Sequence, residues 1–177
     1  MKLPRPILAL AVVAGVAGPT VANACLQPGE RTAIEVRTLQ ARLMVGALAC
    51  QAQDGYNAFV RRNQGDLNNA YRTAQRYFSR PGGGGGGERH WNQVDTELAA
   101  AQSQEHTRLG SFFCSDTQTF LRDLNSVSGA AGLARFAIER NILQAYHAPT
   151  CTGAAFGRAS RPAAARPAAA TSRPARR

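Results

Sequence analysis

The sequence predicts an all-α protein: an up-down-up-down four-helix bundle, or a close relative of one, stapled by two disulfides. Three observations lead to this class. Apolar residues recur at three- and four-residue steps along four segments, and almost nothing between residues 25 and 151 alternates with a period of two. All 4 cysteines fall within the same stretch, whose length suits one domain with a modest core.

Residues 1–24 have the pattern of a secretory signal peptide. A short basic start precedes an unbroken apolar stretch over residues 7–17, and small residues up to Ala24 suit cleavage. The stretch is too short to span a membrane, which takes about 20 apolar residues. Cleavage after Ala24 would make Cys25 the first mature residue. A lipoprotein with its lipid on Cys25 is the alternative, but it would leave an odd number of cysteines for pairing.

Composition predicts the bacterial periplasm as the compartment. Lys and Arg together number 21, and only Lys2 is a lysine. Such a preference for Arg, beside abundant Ala, Gly and Pro, is typical of a GC-rich bacterial genome. An even number of cysteines in an oxidising compartment most simply forms disulfides. Zinc binding is the competing interpretation, but no two cysteines are close enough in sequence for the usual zinc-site spacing.

The first predicted helix covers residues 31–53 and carries two neighbouring apolar stripes. One stripe consists of Val36, Leu39, Leu43, Ala47 and Cys50, and the other of Ile34, Ala41, Val45 and Leu48. Two adjacent stripes make a wide apolar face, so we expect this helix to lie deep in the bundle.

The second predicted helix covers residues 56–78 and is aromatic and basic. Arg72, Arg76 and Arg80 follow one another at four-residue steps and would form a ridge able to grip an anionic glycan or a phosphate. A solvated face beside an acidic third helix is the alternative explanation. Pro81 and the glycines at residues 82–87 then end the helix, and we expect a passive, flexible connector there.

The third and fourth predicted helices complete the bundle. The third covers residues 88–124, with possible breaks at Gly110 and at residues 115–116. Its acidic residues outnumber its arginines, which favours it as the antiparallel neighbour of the basic second helix. The fourth covers residues 130–146 and is ended by the proline at position 149.

This route through the bundle predicts the disulfide pairing. Cys25 and Cys50 lie near opposite ends of the first helix, roughly 30 Å apart at 1.5 Å per residue, whereas a disulfide needs Cα atoms within about 7 Å. The second helix runs back to the end of the bundle that holds Cys25. The third runs in the opposite direction and places Cys114 beside Cys50. The fourth helix brings Cys151 back to Cys25. We therefore expect the pairs Cys50 with Cys114 and Cys25 with Cys151.

The histidines do not point to catalysis. Glu105 and His106 form the strongest local pair, but side chains at consecutive helix positions point in different directions. His90 stands beside Trp91 at the head of the third helix, where we expect Trp91 to close the end of the core. The sequence therefore predicts no catalytic residue.

Cofactor and metal ligands are equally sparse. Met44 with His106 is the only conceivable axial pair for a haem in the bundle interior. Asp95 and Glu97 are two residues apart on a helix, so their carboxylates diverge. We expect no bound cofactor and no metal ion.

Net charge resides mainly in the C-terminal tail. The chain carries a formal charge of +10, but arginines and acidic residues nearly balance between residues 25 and 151, so we expect no nucleic-acid partner. From residue 152 onward the chain is Ala/Pro/Arg-rich and is predicted to be disordered. Its arginines are Arg158, Arg161, Arg166, Arg173, Arg176 and Arg177. They would either contact anionic surfaces of the envelope or serve as an inert solubilising extension.

Two functional hypotheses follow from these observations. The first is a non-enzymatic exported protein that binds another protein or an anionic envelope polymer, with the tail as a contact arm. The second is a protein that binds a small ligand, a haem or a metal inside the helical bundle. Neither involves nucleic acid or, after signal cleavage, a transmembrane segment.

We expect a mature chain ending at Ala154 to fold as stably as the full mature chain, because Phe156 is the only large apolar residue removed. The two melting temperatures, measured by circular dichroism, should agree within about 2 °C. A much larger loss would show that Phe156 and its neighbours pack on the domain.

Overall fold

The structure, a computed structural model, describes residues 25–151 and is helical throughout most of that range. Its helices are α1 (Pro28–Ala49), α2 (Gln53–Arg62), α3 (Gln64–Ser79), α4 (Gly87–Leu109), α5 (Ser111–Asp123) and α6 (Gly129–Glu139), with a 3-10 turn at Leu124–Ser126. The described residues contain no β-strand, only an isolated parallel bridge between Leu26 and Thr150. The all-α class is confirmed. The predicted signal peptide and C-terminal tail lie outside the described residues.

The described residues form six helices, whereas the sequence predicted four, because the second and third predicted helices are each broken into two. The anticipated break at Gly110 separates α4 from α5, and this glycine adopts φ 57° and ψ −128°, which favours glycine. The break between α2 and α3 at Asn63 was not predicted. There the buried Asn63 side chain donates a hydrogen bond of 2.9 Å to the carbonyl of Phe59, which also accepts from the Asn63 amide at 3.0 Å, so a side-chain bond is added beside the backbone bond.

Helix α1 lies at the centre of the fold and contacts all five other helices. Its two apolar stripes explain this position, because Val36, Leu39 and Leu43 join one core cluster and Ile34 and Ala41 join a second. The predicted deep burial of this helix is confirmed.

The fourth predicted helix is shorter than expected and ends at Glu139, not near residue 146. Asn141 takes a left-handed conformation with φ 50°. The amide of Ile142 then bonds the carbonyl of Ala137 at 3.0 Å, and that of Asn141 bonds the carbonyl of Ile138 at the same distance. This is a Schellman ending, in which the last carbonyls of a helix are satisfied by the residues that follow it.

Residues 142–151, here called the closing segment, continue from α6 without helical structure. The carbonyl of Leu143 accepts a 2.7 Å hydrogen bond from Gln102. Farther along, the amide of Leu26 donates to Pro149 at 2.8 Å, and that of Cys151 donates to Leu26 at 2.9 Å. The closing segment is therefore held to the start of the domain by backbone hydrogen bonds as well as by its cysteine.

Both disulfides join the residues expected from the sequence. Cys25 pairs with Cys151 at a Cα separation of 5.0 Å, and Cys50 pairs with Cys114 at 5.3 Å. The first pair ties the two ends of the described chain together, and the second ties the end of α1 to α5.

Helices α3 and α4 are neighbours, but aromatic packing, not charge pairing, joins them. The fully buried Trp91 of α4 contacts the rings of Tyr71 and Phe78 on α3, both at 5.6 Å between centroids. Among the described residues no ion pair links these helices, and the α4 carboxylate of Asp95 instead binds Arg37 of α1. The predicted charge complementarity therefore does not form their contact.

The glycine connector packs on the protein, contrary to the expectation of a passive linker. The amide of Gly84 donates to the carbonyl of Tyr77 at 3.2 Å. A Cβ atom added to Gly84 would lie 2.5 Å from the ring of Phe78, closer than van der Waals contact allows. The connector thus covers the aromatic end of the core, and a side chain at Gly84 would have no room.

We expect Gly84→Ala to lower the free energy of unfolding by about 1–3 kcal/mol, because the added methyl group must displace the Phe78 ring. Urea denaturation followed by circular dichroism would measure the change. Gly29→Ala is the matched control, since a Cβ there meets nothing within 4 Å and its effect should stay within about 0.5 kcal/mol. Equal effects of the two substitutions would contradict the packed connector.

Candidate functional site

A stripe of polar residues runs along the buried surface of α1. Glu35, Thr38 and Arg42 are spaced by three and four residues, so they share one helix face, and they are only 8%, 0% and 3% exposed. The sequence analysis did not single them out, although their spacing within an otherwise apolar helix was visible. Buried polar groups need partners, and α5 and the closing segment supply them.

Arg42 lies against α5 without forming an ion pair. Its guanidinium donates to Thr117 Oγ1 at 2.8 Å and to the carbonyl of Phe113 at 3.1 Å. The guanidinium carbon also lies 3.4 Å from the centroid of the Phe113 ring, a cation–π contact. Burial lowers the pKa of Arg42 from its ordinary 12.5 to about 10, although the nearby carboxylates of Asp116 and Glu105 oppose that shift.

Gly46 extends the same face of α1 and allows the close approach of α5. A Cβ atom at this position would lie 2.5 Å from Thr117 Oγ1. The absence of a side chain at Gly46 therefore lets Thr117 reach the guanidinium of Arg42. A cavity of about 50 Å³ beside Arg42 and Gln102 has room for only one or two water molecules at about 30 Å³ each.

Glu35 lies at the other end of the polar stripe, beneath the closing segment. Gln144 Nε2 donates to Glu35 Oε2 at 3.2 Å and to Thr38 Oγ1 at 2.8 Å. Gln144 Oε1 accepts from the amide of Tyr146 at 3.0 Å. Gln144 therefore binds α1 through its amide nitrogen, while its amide oxygen binds the backbone of its own segment.

A cavity of about 240 Å³ opens between α1 and the closing segment, and we call it the closing-segment pocket. Its lining consists of Leu26, Arg31, Ile34, Glu35, Gln144, Tyr146, His147, Ala148 and Pro149. The pocket combines apolar walls with one buried carboxylate and with the basic side chains of Arg31 and His147, so it pairs apolar surface with a few polar groups, as small-molecule sites do.

Tyr146 anchors the closing segment to the aromatic end of the core. Its hydroxyl lies 3.2 Å from that of Tyr77, and its ring contacts Phe78 edge-on at 5.2 Å. Burial raises the pKa of the Tyr146 phenol, and the hydrogen bond with Tyr77 adds to the shift. Tyr146 therefore stays protonated and serves as a structural side chain.

The Glu105–His106 pair diverges, as its spacing predicts. Glu105 accepts a 2.8 Å hydrogen bond from Arg108 Nε, which holds the pKa of the Glu105 carboxyl below its ordinary value. The ring of His106 instead contacts Phe113 at 5.0 Å. The structure does not bring the two side chains together on one substrate position.

The remaining candidate residues are also engaged elsewhere. His90 Nδ1 lies 3.0 Å from the carbonyl of Gly85, while its neighbour Trp91 is fully buried in the core, as expected. Met44 is 37% exposed, so it lies at the surface and not in a bundle interior.

The predicted arginine ridge is shorter than the sequence suggested. Arg80 turns inward and donates to the carbonyl of Cys25 and to Glu30, both at 3.0 Å. Arg72 and Arg76 remain exposed, and among residues 25–151 the Arg76 side chain donates only to Thr73 Oγ1, at 2.9 Å. Two of the three arginines are therefore presented to solvent.

No protein-family model, curated protein or solved structure matches this chain. Within residues 25–151, no group of three or more His, Cys, Asp or Glu side chains is placed to hold a metal ion. In the same range no helix combines the length and the apolar character needed to cross a membrane.

The buried charge of Arg42 predicts a particular pH dependence of stability. Between about pH 10 and 12.5 the unfolded chain binds the Arg42 proton more tightly than the folded protein, so the free energy of unfolding rises with pH there. We compare the wild-type protein with Arg42→Met, in which this contribution is absent. The difference in unfolding free energy, wild type minus variant, should increase by about 1 kcal/mol between about pH 8 and pH 10.5.

Urea titrations at the two pH values would measure this difference. Tyr146 is present in both proteins, so the opposing effect of its raised pKa cancels in the comparison. A difference that stays constant with pH would contradict a desolvated guanidinium at Arg42.

Proposed function

We propose that this chain is a non-enzymatic exported protein that binds an anionic polymer of the bacterial envelope through the outward face of α3. The observation that carries the proposal is the composition of that face, which holds two arginines and no carboxylate. Export is supported by the signal-peptide pattern of residues 1–24 and by two disulfides, which are compatible with an oxidising compartment.

The outward face of α3 lies opposite its buried side. Leu67, Ala70, Ala74, Tyr77 and Phe78 point into the core. The exposed residues on the opposite side are Gly65, Asn68, Asn69, Arg72, Arg76 and Ser79. Guanidinium and amide groups donate hydrogen bonds to phosphate, carboxylate and sugar oxygens, so this face suits an acidic glycan or another anionic chain.

The arginines of this face form no ion pair with the described residues. Other arginines, including Arg37, Arg108 and Arg140, bind carboxylates, whereas neither Arg72 nor Arg76 does so. Their charge is therefore not neutralised by a neighbour in the described residues. An extended polyanion would gain ionic contacts here without displacing an existing ion pair.

The absence of an enzymatic activity is part of the proposal. It is supported by the separate engagement of Glu105, His106 and His90, each of which contacts a structural partner. The C-terminal arginines, from Arg158 to Arg177, would add a second anionic contact in the full chain. Their contribution is separable from that of α3 by truncation.

We further propose that the helical segments alternate in direction along the chain. The pairing of Cys50 with Cys114 and the contact of Arg80 with the Cys25 carbonyl support this route. Such a route leaves the outward face of α3 on the outside of the domain.

We expect the double charge reversal Arg72→Glu with Arg76→Glu to weaken binding to dextran sulfate at least about tenfold at low salt, since each lost contact is charge-assisted. Isothermal titration calorimetry on the mature chain would measure the affinity, with uncharged dextran as the neutral ligand. Binding should also weaken as ionic strength rises, because salt screens exposed charges.

The matched control is Arg122→Glu with Arg135→Glu, which makes the same change in net charge at exposed positions on α5 and α6. Its effect should be much smaller. Equal losses in the two double variants would show a response to net charge alone and contradict a site on α3. Repeating the titrations with a chain ending at Ala154 separates any contribution of the tail.

A further inference from the structure

We propose that the closing-segment pocket is a binding site for a small primary amine, whose ammonium group pairs with Glu35 and whose short hydrocarbon body packs on the apolar walls. The proposal is independent of the polymer-binding face, because no residue of the outward face of α3 lines the pocket.

The first step of the argument is the incomplete neutralisation of Glu35. Among the described residues Arg31 is its only ion-pair partner, and the closest approach of Arg31 Nη2 to Glu35 Oε1 is 3.9 Å, beyond hydrogen-bond distance. The side chain of Arg31 is 51% exposed, and its Nη1 donates instead to Thr150 Oγ1 at 2.8 Å. Solvent weakens an ion pair of this kind.

The second step is the unused acceptor capacity of the Glu35 carboxylate. A carboxylate offers about four lone-pair positions, and within residues 25–151 Glu35 accepts one hydrogen bond, from the neutral amide of Gln144. A buried charge with so few partners is unfavourable unless a further donor or cation approaches it. Glu35 lines the closing-segment pocket, so such a group would reach the carboxylate from that open space.

The third step is the size and lining of the pocket. Its volume of about 240 Å³ corresponds to roughly eight water molecules at about 30 Å³ each, which suits a ligand of several carbon atoms. Leu26, Ile34, Ala148 and Pro149 supply apolar wall. A ligand with a cationic head and a short apolar body therefore matches both parts of the lining.

A divalent metal ion fits the same pocket poorly. Calcium and magnesium take about six or more oxygen ligands, whereas Glu35 is the only carboxylate in the lining. An ammonium group needs fewer acceptors, since it has three N–H donors and carries a single charge. With a single carboxylate, and with Arg31 and His147 also in the lining, the pocket suits one monovalent ammonium group better than a divalent ion.

The experiment titrates the mature, disulfide-bonded protein with n-pentylamine and follows backbone amide resonances by two-dimensional NMR. We expect saturable shifts concentrated at Leu26, Glu35 and Ala148. The neutral n-pentanol and the anionic pentanoate have similar bodies, and each should bind at least about tenfold more weakly than the amine.

Two variants test the residue assignment. Glu35→Gln should weaken pentylamine binding at least about tenfold, whereas Glu139→Gln, which removes an exposed carboxylate on α6, should leave it unchanged. Ala148→Phe keeps the carboxylate but fills the pocket, so it should also abolish binding and serves if Glu35→Gln fails to fold. Retained circular dichroism and both disulfides would verify folding.

Three results would overturn the proposal. One is the absence of saturable pentylamine binding, and another is equal binding of pentylamine and pentanol. The third is unchanged amine binding in correctly folded Glu35→Gln or Ala148→Phe.

Discussion

The central position of α1 is the constraint on which the rest of the structure depends. Its contacts with five other helices leave Met44 and Leu48 at the surface but cover the face that carries its polar stripe. Glu35, Thr38 and Arg42 are therefore enclosed, and each has to find hydrogen-bond partners within the protein. Helix α5 and the closing segment carry partners of this kind.

The two ends of the polar stripe of α1 are satisfied by different partners. At Arg42 the guanidinium is satisfied by Thr117, by the Phe113 carbonyl and by the Phe113 ring. At Glu35 the neutral amide of Gln144 supplies a single hydrogen bond. The Arg42 end borders a cavity of only about 50 Å³, whereas the Glu35 end borders one of about 240 Å³. The same helix thus combines a structural contact with a candidate binding site.

The two proposed recognition features depend on different levels of structure. The outward face of α3 is a property of one helix, because its composition follows from residue spacing once the buried side is known. The closing-segment pocket arises only where α1 meets a segment more than 100 residues away, as the separation of 109 between Glu35 and Gln144 shows. The disulfide between Cys25 and Cys151 joins the two chain segments beside this pocket.

The sequence by itself determined the helical class, the deep position of α1, the break at Gly110 and the expected cysteine pairs, because these follow from local periodicity, glycine conformation and chain geometry. It did not reveal the break at Asn63 or the end of α6 at Glu139, because the apolar pattern continues past both positions and only local hydrogen bonds mark them. Only the tertiary structure decided that Glu35 and Arg42 are buried, that Arg80 turns inward and that the glycine connector packs on Phe78. Each of these depends on which distant group lies opposite, and residue spacing along one helix carries no information about that partner.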